Sequence, residues 1–352
     1  MITRKSTNLL LPVMVLLFAA CSKKDKSPGD PEEPETPVIA PPPDFGFKVV
    51  GYFPSYRDPA AVPDVKFRMT NVVNYAFATV NASGVPVVNN TGRLTEVVNK
   101  AKANNAKVFI SVNGSTTNWK NMAATAEGRH NFVVSVMGII RQYQLDGVDI
   151  DWEFPGTSDG TDLTYTSMMK ELSDSCHTNS RYYLTAAITA GKYAGQYRDA
   201  IKPELFPYVD WFNVMAYDDF STSAPYRHHS DYTLAETCLN FWLNQRGMPK
   251  AKCVLGLPAY GRPSGITQTN TVLTYAAILE QGGSPLADSA VVTSAGYPDP
   301  YTVYYNGQPT IKKKAALARQ IANGVMLWEK GQDSHDETSL LKAVCDTIGR
   351  AY

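Results

Sequence analysis

The chain has 352 residues, and its 33 lysines and arginines balance 33 aspartates and glutamates. That length excludes a single small module, and a neutral sum leaves no basic footprint for nucleic acid. With 44% hydrophobic and 19% charged residues, the composition is that of a folded chain with a large core rather than a disordered one.

At the N-terminus, Arg4 and Lys5 precede an apolar run from Leu9 to Ala20, broken by Pro12. The run is shorter than the roughly 20 residues of a membrane span and has the form of a secretory signal core, so residues 1–20 read as a signal peptide. It ends Leu17-Phe18-Ala19-Ala20-Cys21. Small residues before a cysteine resemble a bacterial lipobox, in which Cys21 becomes the lipidated first residue. An ordinary cleaved signal with an incidental cysteine is the alternative. Residues 21–46 are rich in Pro, Glu, Lys and Asp, include Pro41-Pro42-Pro43, and lack apolar content; they read as a disordered tether. The expectation is an exported, membrane-anchored lipoprotein of a bacterium, on the periplasmic or cell-surface face. Its monomeric soluble domain would cover 47–352.

From Phe47 onward, short apolar runs alternate with longer amphipathic stretches. Strands are predicted over 48–53, 72–80, 107–113, 147–153, 183–189, 211–217, 253–260 and 324–328. Helices are predicted over 94–104, 127–143, 163–179, 234–245 and 311–323. Most strands are rich in Val, Ile and Phe, as strands covered on both faces are. This alternation predicts an α/β fold with a parallel sheet and right-handed crossovers. Eight such units over about 300 residues suit a closed (β/α)8 TIM barrel. An open doubly wound sheet is the rival, but no Gly-rich phosphate loop follows the first strand.

The most informative segment is Asp146-Gly147-Val148-Asp149-Ile150-Asp151-Trp152-Glu153. Strand side chains alternate faces. Val148, Ile150 and Trp152 therefore share an apolar face suited to the outer helices, and Asp149, Asp151 and Glu153 share the interior. Glu153 falls nearest the C-terminal rim, where active sites of such barrels lie. Neighbouring carboxyls about 7 Å apart repel one another, and burial adds to the effect, so at least one pKa rises. A carboxyl kept protonated near neutral pH is a general acid. A calcium loop is a poorer reading, because the octet lacks the glycine and glutamate spacing of an EF-hand. An edge strand with its charges in water is the other alternative.

The octet fits the D-x-x-D-x-D-x-E signature and on it the chain resembles glycoside hydrolase family 18, the chitinases and related endo-β-N-acetylglucosaminidases. Other segments agree in order. Lys48-Val49-Val50-Gly51-Tyr52-Phe53 resembles the family's first strand and Asn74-Tyr75-Ala76-Phe77-Ala78 its second. Ser111-Val112-Asn113-Gly114 resembles the third-strand S-x-G-G, and Met215-Ala216-Tyr217-Asp218 the sixth-strand M-x-Y-D. Gly256-Leu257-Pro258-Ala259-Tyr260-Gly261-Arg262 is similar to the seventh and Gly324-Val325-Met326-Leu327-Trp328-Glu329 to the eighth.

The resemblance implies retaining hydrolysis without an enzyme nucleophile. The substrate's 2-acetamido carbonyl attacks the anomeric carbon, and water opens the resulting oxazolinium ion. Glu153 would protonate the leaving oxygen and then activate the water. Asp151 would orient the acetamido N–H, Asp149 would share a proton with Asp151, and Tyr217 would bond the acetamido oxygen. Trp328 would floor the reacting sugar's site, with Asp218, Tyr52, Phe77, Ser111 and Met215 lining or supporting it. Tyr260 and Arg262 follow the seventh strand and would reach the sugar; Arg262 also reads as an ion-pair partner. No cofactor is implied, and the partner would be chitin or another N-acetylglucosamine-containing glycan. An N-glycan-releasing endo-β-N-acetylglucosaminidase and a non-catalytic sugar binder are the competing functions.

Departures limit the leaving-group side. Asn113 replaces the first Gly of the third-strand pair, and Ser115 stands where many chitinases carry a Trp. Trp119 is a candidate substitute or a helix-start residue. Residues 263–323 are too few for the family's whole α+β insertion between strands seven and eight, so that wall is expected to be reduced or absent and the cutting endo-type. Cys176, Cys238, Cys253 and Cys345 match no zinc spacing and read either as disulfide partners or as small buried hydrophobes. His228, His229 and Asp231 lie in a Ser/Pro-rich loop without further ligands and read as solvated rather than metal-binding. Lys312-Lys313-Lys314 reads as a helix start facing solvent.

Overall fold

The structure is a computed structural model and describes residues 38–266 and 271–352. The signal peptide, Cys21 and most of the tether lie outside the described residues. Eight parallel strands form a closed ring: β1 (Lys48–Pro54), β2 (Val72–Val80), β3 (Lys107–Gly114), β4 (Gly147–Ile150), β5 (Tyr183–Thr189), β6 (Trp211–Met215), β7 (Cys253–Pro258) and β8 (Gly324–Trp328). Each pairs with the next, and β8 returns to β1 with Val49 opposite Val325. The closed barrel, not the open sheet, is the architecture.

Helices cover the outside, and each starts earlier than its apolar pattern. Thr91–Ala103, Ala126–Gln142 and Tyr232–Leu239 are preceded by Asn90, Thr125 and Asp231, whose side chains accept from the N–H groups of Arg93, Gly128 and Leu234. Such caps satisfy donors that the first turn leaves open. Thr161–Cys176 and Gln308–Ile321 complete the predicted set, while the stretch foreseen over 234–245 changes to a π-helix at Asn240–Gln245. Among the helices not foreseen are Thr116–Ala123 and Leu340–Ile348.

The alternation of β4 holds. Trp152, on the outer face, is buried and stacks on Trp119 with ring centres 5.1 Å apart and planes 6° from parallel, while Tyr165 meets it edge-on. Trp119 is thus a core residue of Thr116–Ala123 and not a substitute sugar contact. The strand foreseen over 147–153 stops pairing at Ile150, although Asp151 N–H still reaches Val112 O at 2.9 Å. Trp152 and Glu153 lie beyond the ladder.

The described end of the tether is folded. Phe45 packs edge-on against Tyr183 and Trp211 at 5.5 and 5.7 Å, and Tyr183 donates to Pro43 O at 2.8 Å. Ile39 bridges Thr178, and Ala40 N–H donates to His177 O. The folded unit therefore begins before Phe47, because one aromatic residue after the prolines fills the base of the barrel.

Between β7 and β8 the insertion is reduced but present. Leu273–Thr274, Tyr260–Pro263, Tyr297–Tyr304 and Ser289–Ser294 form a four-stranded antiparallel sheet beside helix Tyr275–Glu280. Cys176, Cys238, Cys253 and Cys345 are buried free thiols. Two readings of polar residues change. Lys314 is buried, unlike Lys312 and Lys313, and donates to Ser230 O, Ser230 Oγ and Asn306 Oδ1. His229 is fully buried, because the loop that carries it folds down onto this lysine.

Trp119→Ala removes one half of the indole stack. It is expected to destabilise the protein by about 3–5 kcal/mol, the usual range for a core Trp, as measured by urea unfolding. A loss below about 1 kcal/mol would show that the stack is not core.

Candidate active site

Three carboxyls, one on β4 and two just beyond its end, stand in very different surroundings. Asp149 is completely buried. Its Oδ2 accepts from Tyr52 OH at 2.6 Å and Ser111 Oγ at 2.8 Å, and its Oδ1 from Thr185 Oγ1 at 2.7 Å and Asn213 Nδ2 at 3.1 Å. These partners come from β1, β3, β5 and β6, so only a closed barrel assembles them. Burial raises the Asp149 pKa against the pull of the four hydrogen bonds. None of those bonds goes to Asp151; in this structure both oxygens of Asp149 are engaged by other donors.

Asp151 is buried, and its Oδ1 has no hydrogen-bond partner among the described residues. Burial, then the charges of Glu153 and Asp149, holds its carboxyl well above the usual range. Glu153 stands open to the cleft, with its pKa raised by partial desolvation and then by the charge of Asp218. Two residues beyond β6, Tyr217 keeps its proton firmly: burial and the surrounding carboxyls, Asp151 first, push its pKa well up. Its hydroxyl lies 3.9 Å from Met326 Sδ.

These groups share a cleft of about 960 Å³ at the C-terminal end of the barrel, lined by Asp151, Glu153, Tyr217 and Trp328. Trp328 stacks on Phe77 at 5.9 Å and leans on Tyr52 at 5.3 Å, which makes an apolar floor. Met215, Asp218 and Tyr260 also line the cleft. Non-proline cis peptide bonds join Ala76–Phe77, Glu153–Phe154 and Trp328–Glu329. Asp218 adopts φ 64°; its Oδ1 accepts from Tyr260 OH at 2.7 Å and lies 3.3 Å from Arg262 Nε. Burial would raise the Asp218 pKa, but the Arg262 guanidinium and the Tyr260 hydroxyl are among the neighbours that hold it below the usual value. A fixed negative charge thus faces Glu153.

The model of glycosyl hydrolases family 18 matches residues 48–333. The chain belongs to that family. It is 29% identical over 286 residues to chitotriosidase-1 of Mus musculus, covering 72% of this chain and 56% of the relative. It is 33% identical over 226 residues to a probable endochitinase of Caenorhabditis elegans, covering 56% and 35%. The chain spans about half or less of the length of these curated relatives. Among solved structures, the family 18 chitinase from the chitin utilization locus of Flavobacterium johnsoniae superposes with a TM-score of 0.69 at 29% identity, covering 86% of this chain and 94% of that one. A chitinase from Bacteroides thetaiotaomicron, at 24% identity and a TM-score of 0.73 over 87% and 98% of the two chains, speaks for the fold.

Two residues foreseen at the sugar site of this family 18 barrel do not line the cleft. Ser111 is fully buried beneath Asp149 and does not line the cleft. Arg262 lies outside the lining, pairs with Asp218 and covers the Phe220 ring at 4.4 Å. The cleft also has walls that the sequence did not reveal. These are Phe154, Lys192, Tyr193 and Tyr197 beyond β4 and β5, which join Asn113 and Gly114 of the third-strand motif in the lining. Tyr193 OH donates to Asp219 Oδ1 at 2.6 Å, and Lys192 also binds that carboxylate. Two tyrosines in a Gly-containing loop were the available hint, too common a pattern to single out.

Because an ionised Asp218 disfavours ionisation of Glu153, Asp218→Asn is expected to lower the pH at which Glu153 titrates. The check is a ¹³C NMR titration of glutamate-labelled protein, with the Glu153 signal identified by its loss in Glu153→Gln. An unchanged titration would remove Asp218 as the cause.

Proposed function

We propose that this chain is a chitinase-like glycoside hydrolase that cleaves β-1,4 linkages at N-acetylglucosamine by a retaining, substrate-assisted route. The observation that carries the reading is the meeting of Glu153, Asp151 and Tyr217 over the Trp328 floor in one cleft. The sugar ring lies on Trp328, an apolar face suited to the C–H face of a pyranose. Tyr217, which stays protonated, donates to the acetamido carbonyl oxygen. Asp151 Oδ1, buried and unpartnered among the described residues, takes the acetamido N–H, and the carbonyl oxygen is then aimed at the anomeric carbon.

Glu153 transfers its proton to the leaving glycosidic oxygen as that bond breaks and the acetamido oxygen bonds to C1. The positive charge of the oxazolinium develops beside Asp151, above Asp149. Glu153, now a carboxylate, removes a proton from water as the water attacks C1 and the bond from C1 to the acetamido oxygen breaks, which restores the acetamido group and returns Glu153 to its starting form. No protein nucleophile is needed, which sets this route apart from the two-carboxylate scheme. The reduced insertion supports a cleft with a low wall on the β7–β8 side and endo-type cutting. Export and anchoring through a lipid on Cys21 belong to the same reading and rest on the resemblance of residues 17–21 to a lipobox.

The parent is expected to hydrolyse a chromogenic chitobioside, with Glu153→Gln slower by about two to four orders of magnitude, the range for losing a general acid. Equal rates would sink the acid role, and release of N-glycans from glycoproteins in place of chitobioside cleavage would redirect the substrate class. Soluble chitooligosaccharides should yield mixed products; release of dimers alone from one end contradicts endo action. The full chain expressed in a bacterium should incorporate labelled palmitate, and Cys21→Ser should abolish the label.

A further inference from the structure

Behind Asp218 lies His229, which the mechanism above does not use. The ring is fully buried. Its Nδ1 accepts the backbone N–H of Asp218 at 3.4 Å and lies 3.5 Å from Asp218 Oδ1. Its Nε2 has no hydrogen-bond partner among the described residues. One face packs on Tyr260, with ring centres 5.0 Å apart, and the ring lies parallel to His228 at 5.6 Å.

Asp218 is the residue that most needs such support. Its φ of 64° is a conformation that a side-chain-bearing residue holds only when its surroundings fix it. Tyr260 and Arg262 both approach Oδ1 of the side chain; the grip on the main chain comes from His229. We propose that His229 is a positioning residue: its neutral ring takes the Asp218 N–H and so fixes the carboxylate where its negative charge keeps the proton on Glu153.

Only a lone pair on Nδ1 can accept that N–H, because a protonated ring would set one N–H against another. The surroundings favour the neutral ring. The charged and titratable groups facing it are Asp218 and His228 on its own loop, Tyr260 and Arg262 on Tyr260–Pro263, and Lys314 on Gln308–Ile321. Burial first, with Lys314 and Arg262 adding to it, outweighs the pull of Asp218 and lowers the His229 pKa. The ring is therefore biased toward the neutral, accepting form. This role rests on Glu153 being the acid.

The test uses the full chain with His229→Leu, which fills similar volume without an acceptor, and His229→Asn, whose carbonyl oxygen stands near the place of Nδ1. Two quantities are read: the ¹³C titration of Glu153, and the basic limb of kcat/KM on chromogenic chitobioside. In His229→Leu both should move down by about half a pH unit or more, the scale of a nearby charge displaced from its site; His229→Asn should return them toward the parent. His229→Ala serves in the same way if leucine does not fold. A Glu153 titration unmoved in the acceptor-free variant overturns the proposal, as does an equal shift in Leu and Asn. The NMR titration reads Glu153 whether or not chitobioside is cleaved, so an inactive parent counts against the hydrolase reading and leaves His229 separately tested.

Discussion

The molecule is organised around the need to keep several acidic groups in one place without letting them repel the fold apart. Carboxyls at alternate positions of one strand point the same way, and burying an unpaired ion is costly. The barrel solves this by giving each acid different surroundings. Asp149 is enclosed by donors from four strands, Asp151 is left without such a cage, and Glu153 meets solvent at the rim. A gradient from saturated to unpaired to open runs along barely two turns of the pleat. Pushing titratable groups apart in this way separates their roles in acid–base chemistry.

A second ring of groups controls the rim from behind. Arg262, Tyr260 and His229 converge on Asp218, and Lys314 ties the same loop to an outer helix through Ser230 and Asn306. The polar column from the helix to the cleft is buried for most of its length. Its members come from three segments that meet only because β6, the insertion and the helix before β8 are neighbours in the closed barrel.

What was legible in the sequence follows from what a local pattern can encode. Period-two alternation placed Asp149, Asp151 and Glu153 inside and Val148, Ile150 and Trp152 outside, because a strand's facing is a local property. The barrel followed from repeated strand–helix units. Helix starts were missed by a few residues because Asn90, Thr125 and Asp231 act through hydrogen bonds, not through hydropathy. Lys314 and His229 were misread because a polar residue inside a loop or helix carries no sign of which long-range partner will bury it. Arg262 left both readings open in the sequence, and its approach to Asp218 supports the ion pair. The four donors around Asp149 have no spacing rule at all; their meeting is a property of closure.

Phe45 has a wider meaning than its place before the first strand implies. A cylinder of parallel strands has two openings, and the lower one is stoppered from outside the repeating pattern, by an aromatic ring seated against Tyr183 and Trp211. The residues just ahead of β1 are consequently part of the barrel's foundations. Altering them touches the same interior stack that, a few layers higher, supports the chemistry.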